Sequence, residues 1–167
     1  MDKVKNHGKI YTPENIIYMM LDFAGYNKLE NIIEKHVIDN SCGDGNFLYC
    51  IVIRYIHAYL SLNKTTSGLE QHLEKYIHGI EIDGDEVNKC ISRLNVIIDT
   101  YHLNHVFWDI KQGDSLLNTD YDQKMDYVFG NPPYVRTKNV TNELKYEFRN
   151  FSFSVICTFL FSDNIFF

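Results

Sequence analysis

The sequence lacks a surplus of positive charge: 22 Asp and Glu outnumber 16 Lys and Arg, for a formal net charge of −6. A chain that worked by gripping phosphates would ordinarily show a basic face, so any hold on nucleic acid is local or supplied from elsewhere. Paired cysteines are missing as well. Cys42, Cys50, Cys90 and Cys157 form no C-x-x-C and no zinc spacing. No secretory leader is recognisable, and reduced thiols in a cytoplasm are the expectation. Nor is there a long apolar run. The most apolar tract, Phe151 to Phe167, is interrupted by Ser162, Asp163 and Asn164, whereas a membrane span needs about 20 apolar residues. What remains is the ordinary mix of a globular chain, 45% hydrophobic and 23% charged over 167 residues. That is about one domain, and it excludes a disordered tail, a collagen-like fibre and a coiled coil.

Local patterns give an order of elements. Thr12 suits an N-cap and Pro13 the first position of a helix, with Ile16, Ile17, Met20 and Phe23 recurring at helical spacing and Gly25 as the stop. A short helix is expected around Lys28 to Lys35. His36 to Asp39 reads as a buried strand that breaks into the turn-rich Asn40 to Asn46, and a long helix follows from Phe47 to about Leu60. Residues 61–71 read as a solvated loop. A second strand is expected from Tyr76 to Asp83, then a helix with Val87, Cys90, Ile91, Leu94 and Ile98 on one face. Strands from about His105 to Ile110 and from Asp126 to Phe129 complete the pattern. Such an alternation implies an open parallel α/β sheet with helices on its faces. Right-handed crossovers place all strand-end loops at one edge, where ligands bind in such sheets.

Those loops carry the chemistry. Gly43-x-Gly45 lies between a strand and a helix, where small residues let a ligand approach the backbone, although many loops need two glycines for their own turns. The dinucleotide fingerprint would require glycine at position 48, where Leu48 stands. Asp39 and Asp44 would repel a pyrophosphate. A ligand with positive charge, an amino group and a ribose fits better, and S-adenosylmethionine (SAM) has all three. Glu81, ending the second strand, can accept two ribose hydroxyls, but an exposed acid at a strand end is also common. Asp114, ending the third, can accept from an adenine amine between Ile82 and Leu116, or can simply make its Gly-Asp-Ser turn. Asn131-Pro132-Pro133-Tyr134 is the sharpest feature. The prolines remove backbone donors and keep carbonyl acceptors, Asn131 adds another acceptor, and Tyr134 offers a stacking surface. Together they form an acceptor trap for an –NH2 group, although two prolines can also simply end a strand in an ordinary turn.

With these loops in order, the chain resembles the N6-adenine DNA methyltransferases of restriction–modification systems, in particular the TaqI-like type II group. The resemblance rests on Gly8 to Glu14 (GKIYTPE), Asp39 to Leu48 (DNSCGDGNFL), Gly79 to Asp83 (GIEID), Gly113 to Leu117 (GDSLL) and Asn131 to Arg136 (NPPYVR), about residues 8–138. It departs at Asn40-Ser41, where the family usually has Pro-Ala. It implies a Rossmann-like methyltransferase sheet with helices on both faces and its C-terminal strands incomplete. Residues 1–35 would be an N-terminal helical segment packing on the cofactor site, and residues 36–167 a partial SAM-binding domain without a target-recognition domain. SAM would be held by Tyr11, Thr12, Asp39, Ser41, Gly43, Gly45, Glu81, Ile82, Asp114 and Ser115. Asn131, Pro132, Pro133 and Tyr134 would receive the amine of a flipped adenine.

The resemblance stops near Asn150. The tract from Phe151 does not continue the family pattern, and the expectation is a reading frame broken there, leaving the cofactor half of an enzyme. Double-stranded DNA would then be engaged through a missing recognition region or a partner subunit, with Arg136 and Lys138 possible phosphate contacts. Two alternatives stand beside this: a protein-glutamine N-methyltransferase, whose amide substrate suits the same trap, and a non-catalytic SAM-binding module or subunit completed by another chain. The seven histidines show no metal spacing and are read as surface or satisfied positions.

Overall fold

Short strand-forming runs pair side by side in the computed structural model, which describes residues 12–131. Strands β1 (Val37–Asp39), β2 (Ile77–Glu81), β3 (Asp109–Gln112) and β4 (Tyr127–Phe129) make one sheet in the order β3-β2-β1-β4. All neighbours are parallel, with Ile38 opposite His78 and Val128, and His78 opposite Asp109. The two central strands are almost wholly buried, as parallel strands covered on both faces should be. Parallel pairing forces each connection back across the sheet, so all four strands end at one edge. This is the Rossmann-like α/β arrangement.

Gly79 shows what packs on one face. A Cβ there would lie 3.0 Å from Leu48 Cδ1 and 2.9 Å from Ile110 Cδ1. Leu48 belongs to α2 (Asn46–Asn63), which packs with α4 (Gly84–Thr100) against β2. Phe47 stacks on Phe129 at 5.7 Å and Tyr26 meets Tyr127 edge-on at 5.0 Å. Ile17 and Leu21 of α1 (Glu14–Phe23) join Leu48, Ile51, Tyr55 and Leu94 in the fully buried core. Each aliphatic side chain buried this way stabilises by about 1.5–3 kcal/mol relative to exposure.

The structure moves several expected boundaries. Thr12 does not cap α1. Pro13 occupies the cap position in an extended conformation (φ −59°, ψ 144°), and its carbonyl accepts from the Ile16 and Ile17 amides at 2.9 and 3.0 Å. Of the predicted stripe, Ile17 and Met20 are buried but Phe23 is 75% exposed. Gly25 serves as the stop: at φ +78° it lets its own amide reach Asp22 O and the Tyr26 amide reach Leu21 O. Residues 28–35 form only a 3-10 turn at Leu29–Asn31.

The polar stretch 61–71 is not one loop. α2 continues to Asn63, and α3 (Leu69–Tyr76) buries Leu69, Leu73 and Tyr76 on one side. β2 therefore starts at Ile77 and ends at Glu81, while Asp83 caps α4 by accepting from the Asp85 and Glu86 amides at 2.9 and 3.4 Å. β3 starts four residues later than expected, at Asp109. The Asn104 and Phe107 amides are taken instead by the Glu70 and Glu74 carboxylates of α3, at 3.1 and 2.9 Å. Among the described residues no helix is long and apolar enough to cross a membrane. The tract 151–167 lies outside them.

Candidate functional site

The carboxyl edge of the sheet begins with a buried acid. Asp39, the last residue of β1, is 2% exposed. Burial pushes its carboxyl up to about 7 and nearby Glu81 adds to the rise, against the lowering effect of the Ser41 amide that donates to Oδ1 at 3.1 Å. Ser41 Oγ, two residues on, is buried without a hydrogen-bond partner among the described residues. A buried hydroxyl left so costs about 1–3 kcal/mol, which a polar ligand would recover.

The two glycines of the next loop serve different ends. Gly45, at φ +85°, begins α2, and a Cβ there would lie 2.7 Å from Cys90 Sγ. Its missing side chain admits helix α4, not a ligand. Gly43, at φ +52°, has nothing among the described residues within 4 Å of where a Cβ would stand, so among them the open approach is at this residue. Its amide donates to Glu81 Oε2 at 2.8 Å, and the Asp83 amide donates to Oε1 at 3.0 Å. Each Glu81 oxygen thus uses one lone pair on backbone and keeps another, in an orientation fixed from both sides.

Asp44 does not act as expected from the sequence. Its Oδ2 is paired with Arg93 Nη2 of α4 at 2.7 Å, so its charge is compensated. The negative character of the edge rests on Asp39 and Glu81. Beneath the loop, the Cys42 thiol is raised by its hydrogen bond with Cys90 and by burial. Cys42, Cys50 and Cys90 are free and buried, and Cys157 is outside the described residues.

The third and fourth strands bring the remaining groups. The Gly113 amide bonds to Glu81 O at 2.9 Å, tying the loop after β3 to the end of β2. Asp114 Oδ1 accepts from the Leu116 amide at 2.9 Å, so it makes the turn and still carries a second carboxylate oxygen. Ser115 sits beside it, half-buried, and Ile82 is 67% exposed. Asn131 follows β4, and its Nδ2 donates to Thr12 Oγ1 at 3.2 Å. Thr12 Oγ1 thus meets Asn131, while Pro13 holds the cap position of α1. Tyr11, Pro132, Pro133 and Tyr134, like Arg136 and Lys138, lie outside the described residues.

Three contributors escaped the sequence reading. Asn46 donates from Nδ2 to Thr12 O at 2.7 Å and accepts at Oδ1 from Arg93 Nη1 at 3.0 Å. Asn46 stood in the quoted loop, but nothing local marked Arg93. Gly130 lies where a Cβ would fall 2.8 Å from Asn40 Oδ1 and 3.1 Å from both Asp39 Oδ1 and Ser41 Oγ. Its place between strand and asparagine was the available signal. Among the described residues no group of three or more His, Cys, Asp or Glu is placed to hold a metal.

The arrangement therefore joins a buried acid, an oriented acid, an unpartnered hydroxyl and an asparagine amide along one edge. The chain is similar in sequence to the type II methyltransferase M.BstVI of Geobacillus stearothermophilus, 32% identical over 86% of this chain and 27% of that protein. It spans about a quarter of the length of the curated relatives it matches. Among solved structures, the modification subunit of a putative type I restriction enzyme from Vibrio vulnificus shares the fold (TM-score 0.53, 21% identity, 78% of this chain and 25% of that one). So does a putative class I S-adenosylmethionine-dependent methyltransferase from Listeria monocytogenes (TM-score 0.50, 16% identity, 87% and 38%). The family model for N-6 DNA methylases matches residues 1–157, and with its parallel sheet and acidic carboxyl edge the chain belongs to the N-6 DNA methylase family.

Proposed function

We propose that this chain is the cofactor-binding part of an adenine-N6 DNA methyltransferase of the restriction–modification type, working in a cytoplasm with SAM as methyl donor. The observation that carries the reading is the placement of Asp39, Glu81 and Asp114 at successive strand ends on the edge that also holds Asn131. The donor set suits SAM. Its cationic end matches an edge that is acidic and, among the described residues, has no base paired with Asp39 or Glu81, while Ser41 Oγ and Gly43, unpartnered and open among those residues, offer the close approach such a ligand needs. When bound, SAM supplies a methyl group already activated by a positive sulfur.

The chain's own residues do the rest. Asp39 and Ser41 hold the polar amino-acid end, with Tyr11 and Thr12 closing over it. Glu81 takes the ribose hydroxyls on its two remaining lone pairs. Ile82 presents an apolar face to the adenine, whose amine Asp114 accepts beside Ser115. Asn131 and the Pro132 carbonyl accept the protons of the target amine, which localises a lone pair otherwise delocalised into the ring. Pro133 keeps that turn free of competing donors, and Tyr134 stacks on the flipped base. No covalent intermediate is needed, so the rate gain comes from alignment and fixed dipoles.

Residues 1–35 act as a segment packed on the cofactor site, a reading supported by the bonds from Asn46 and Asn131 to Thr12. Recognition of the DNA site falls to another region or a partner subunit, consistent with the acidic charge of this chain. Binding isotherms for SAM test the assignment. Glu81→Ala is expected to weaken binding about 10–100-fold, the worth of hydrogen bonds to a charged acceptor. Asn131→Ala is expected to bind SAM as the wild type does and to transfer no methyl group to adenine. Equal binding by Glu81→Ala and wild type would overturn the reading.

A further inference from the structure

Arg93 stands on α4, a helix that contributes none of the groups just assigned. Its guanidinium nevertheless reaches the site with both ends: Nη2 lies 2.7 Å from Asp44 Oδ2 and Nη1 lies 3.0 Å from Asn46 Oδ1. A guanidinium only donates, so it fixes which end of the Asn46 amide faces it. The other end, Nδ2, then points at the Thr12 carbonyl, which only accepts, at 2.7 Å. The two contacts agree, and the Asn46 amide has one satisfied orientation. Held by its carbonyl, Thr12 presents Oγ1 to Asn131 Nδ2 at 3.2 Å. The series Asp44–Arg93–Asn46–Thr12–Asn131 therefore joins the glycine loop, α4, the start of α2, the approach to α1 and the loop after β4.

We infer that Arg93 is a positioning residue for Asn131, fixing through Asn46 and the Thr12 backbone the place at which the Thr12 hydroxyl holds its side-chain amide. Taking Nδ2 on Thr12 turns the amide oxygen of Asn131 to the opposite side, where an incoming amine would be accepted. That last step rests on the proposed function; the coupling itself does not. Arg93 also compensates Asp44, so the loop that contacts the cofactor and the loop that receives the substrate share one anchor. Lysine keeps the charge at this position but lacks the fork that reaches Asp44 and Asn46 together.

Nuclear magnetic resonance of the whole 167-residue chain reads the coupling without cofactor or turnover, through hydrogen exchange of the Asn46 and Asn131 side-chain amides. Arg93→Lys is expected to speed exchange at both about tenfold, the worth of one hydrogen bond. Thr12→Val, which removes only the hydroxyl, is expected to speed exchange at Asn131 and leave Asn46 within twofold. If Arg93→Lys changes Asn46 alone, no positioning passes along the series and the inference is overturned. A SAM isotherm on the same samples separates the two ideas. Arg93→Lys is expected to bind SAM within about threefold of wild type, because the compensating charge remains, while exchange at Asn131 still speeds about tenfold. A purely structural role would lower SAM affinity and Asn131 protection together with thermal stability. Failure of wild type to bind SAM would remove the functional reading and leave the exchange result to decide the coupling.

Discussion

The two edges of one sheet handle polarity in opposite ways. At the amino edge the groups satisfy each other. His36 Nδ1 lies 2.9 Å from His78 Nε2, and His78 Nδ1 lies 2.7 Å from Asp109 Oδ2, a line across the starts of three strands. Asp126 accepts from the His36 amide at 2.9 Å and pairs with Lys35 at 3.4 Å. The loose ends on that side, among the described residues, are the hydroxyls of Tyr121, whose ring lies against His78, and of Tyr26, whose ring meets Tyr127 at the start of β4. At the carboxyl edge a buried acid stands beside another acid, and Ser41 Oγ has no partner among the described residues. Closure at one end and unmet demand at the other are what separate scaffold from site, although both ends are rich in ionisable residues.

The contrast gives the edges opposite pH signatures. A carboxyl raised from 3.8 to about 7 makes the folded state bind an extra proton between those values. Stability from this group is therefore fully present below pH 3.8 and declines as pH rises toward 7. Asp39→Asn, which keeps the acceptor for Ser41 and removes the charge, is expected to raise stability at pH 8 by on the order of 2–4 kcal/mol. Denaturant melts at pH 5 and 8 check this: the gain is to be full at pH 8 and to shrink to less than half at pH 5. A site residue whose removal stabilises the chain is the usual mark of function held against stability.

Next in size is Gly45→Ala. It combines a Cβ at 2.7 Å from Cys90 Sγ with φ +85°, and about 2–4 kcal/mol of lost stability is expected from overpacking and left-handed strain together. Gly43→Ala, two residues away in open space at φ +52°, is expected to cost about 1 kcal/mol in stability and to show its main effect as weaker SAM binding. Equal losses of stability in the two variants would erase the distinction between a packing glycine and an approach glycine. At the amino edge His78→Leu leaves Asp109 and His36 without their partner. A loss of about 1–3 kcal/mol is expected, with SAM affinity unchanged in the same titrations.

The smallest effect is at acid pH. Burial lowers His36, with His78 and Lys75 adding and Asp126 opposing, and burial likewise lowers His72, with Lys75 adding and Glu34 opposing. The unfolded chain then binds more protons below pH 6.5, so stability falls as pH drops through that region toward the folded-state values. His36→Gln is expected to flatten this acid limb in melts between pH 7 and 5, the mirror image of Asp39→Asn.

Much of the proposed site's placement at one edge was legible because its residues sit at fixed places relative to strand ends. Asp39, Gly43, Glu81, Asp114 and Asn131 are local punctuation, and a parallel sheet gathers such points at one edge. What the sequence hid was long-range pairing. Arg93 is 49 residues from Asp44 and Thr12 is 119 from Asn131, and no periodicity announces such bonds. α3 was missed because only Leu69, Leu73 and Tyr76 among its eight residues are buried, a thin stripe in a polar stretch. β3 was placed too early because Val106 and its neighbours look strand-like. Only the carboxylates of α3, brought close by the fold, take the Asn104 and Phe107 amides out of the sheet.

On the proposed reading, the carboxyl edge receives a cationic methyl donor on a buried acid that ionises near neutral pH. The most direct test is calorimetric titration of SAM at pH 6 and pH 8 into wild type and Asp39→Asn, the ligand's own ionisation being common to both. With Asp39 at about 7 in the free chain, wild-type affinity is expected to rise about tenfold more than that of Asp39→Asn between the two pH values. Parallel pH dependences for the two proteins, or equal affinity at pH 8, would contradict the account.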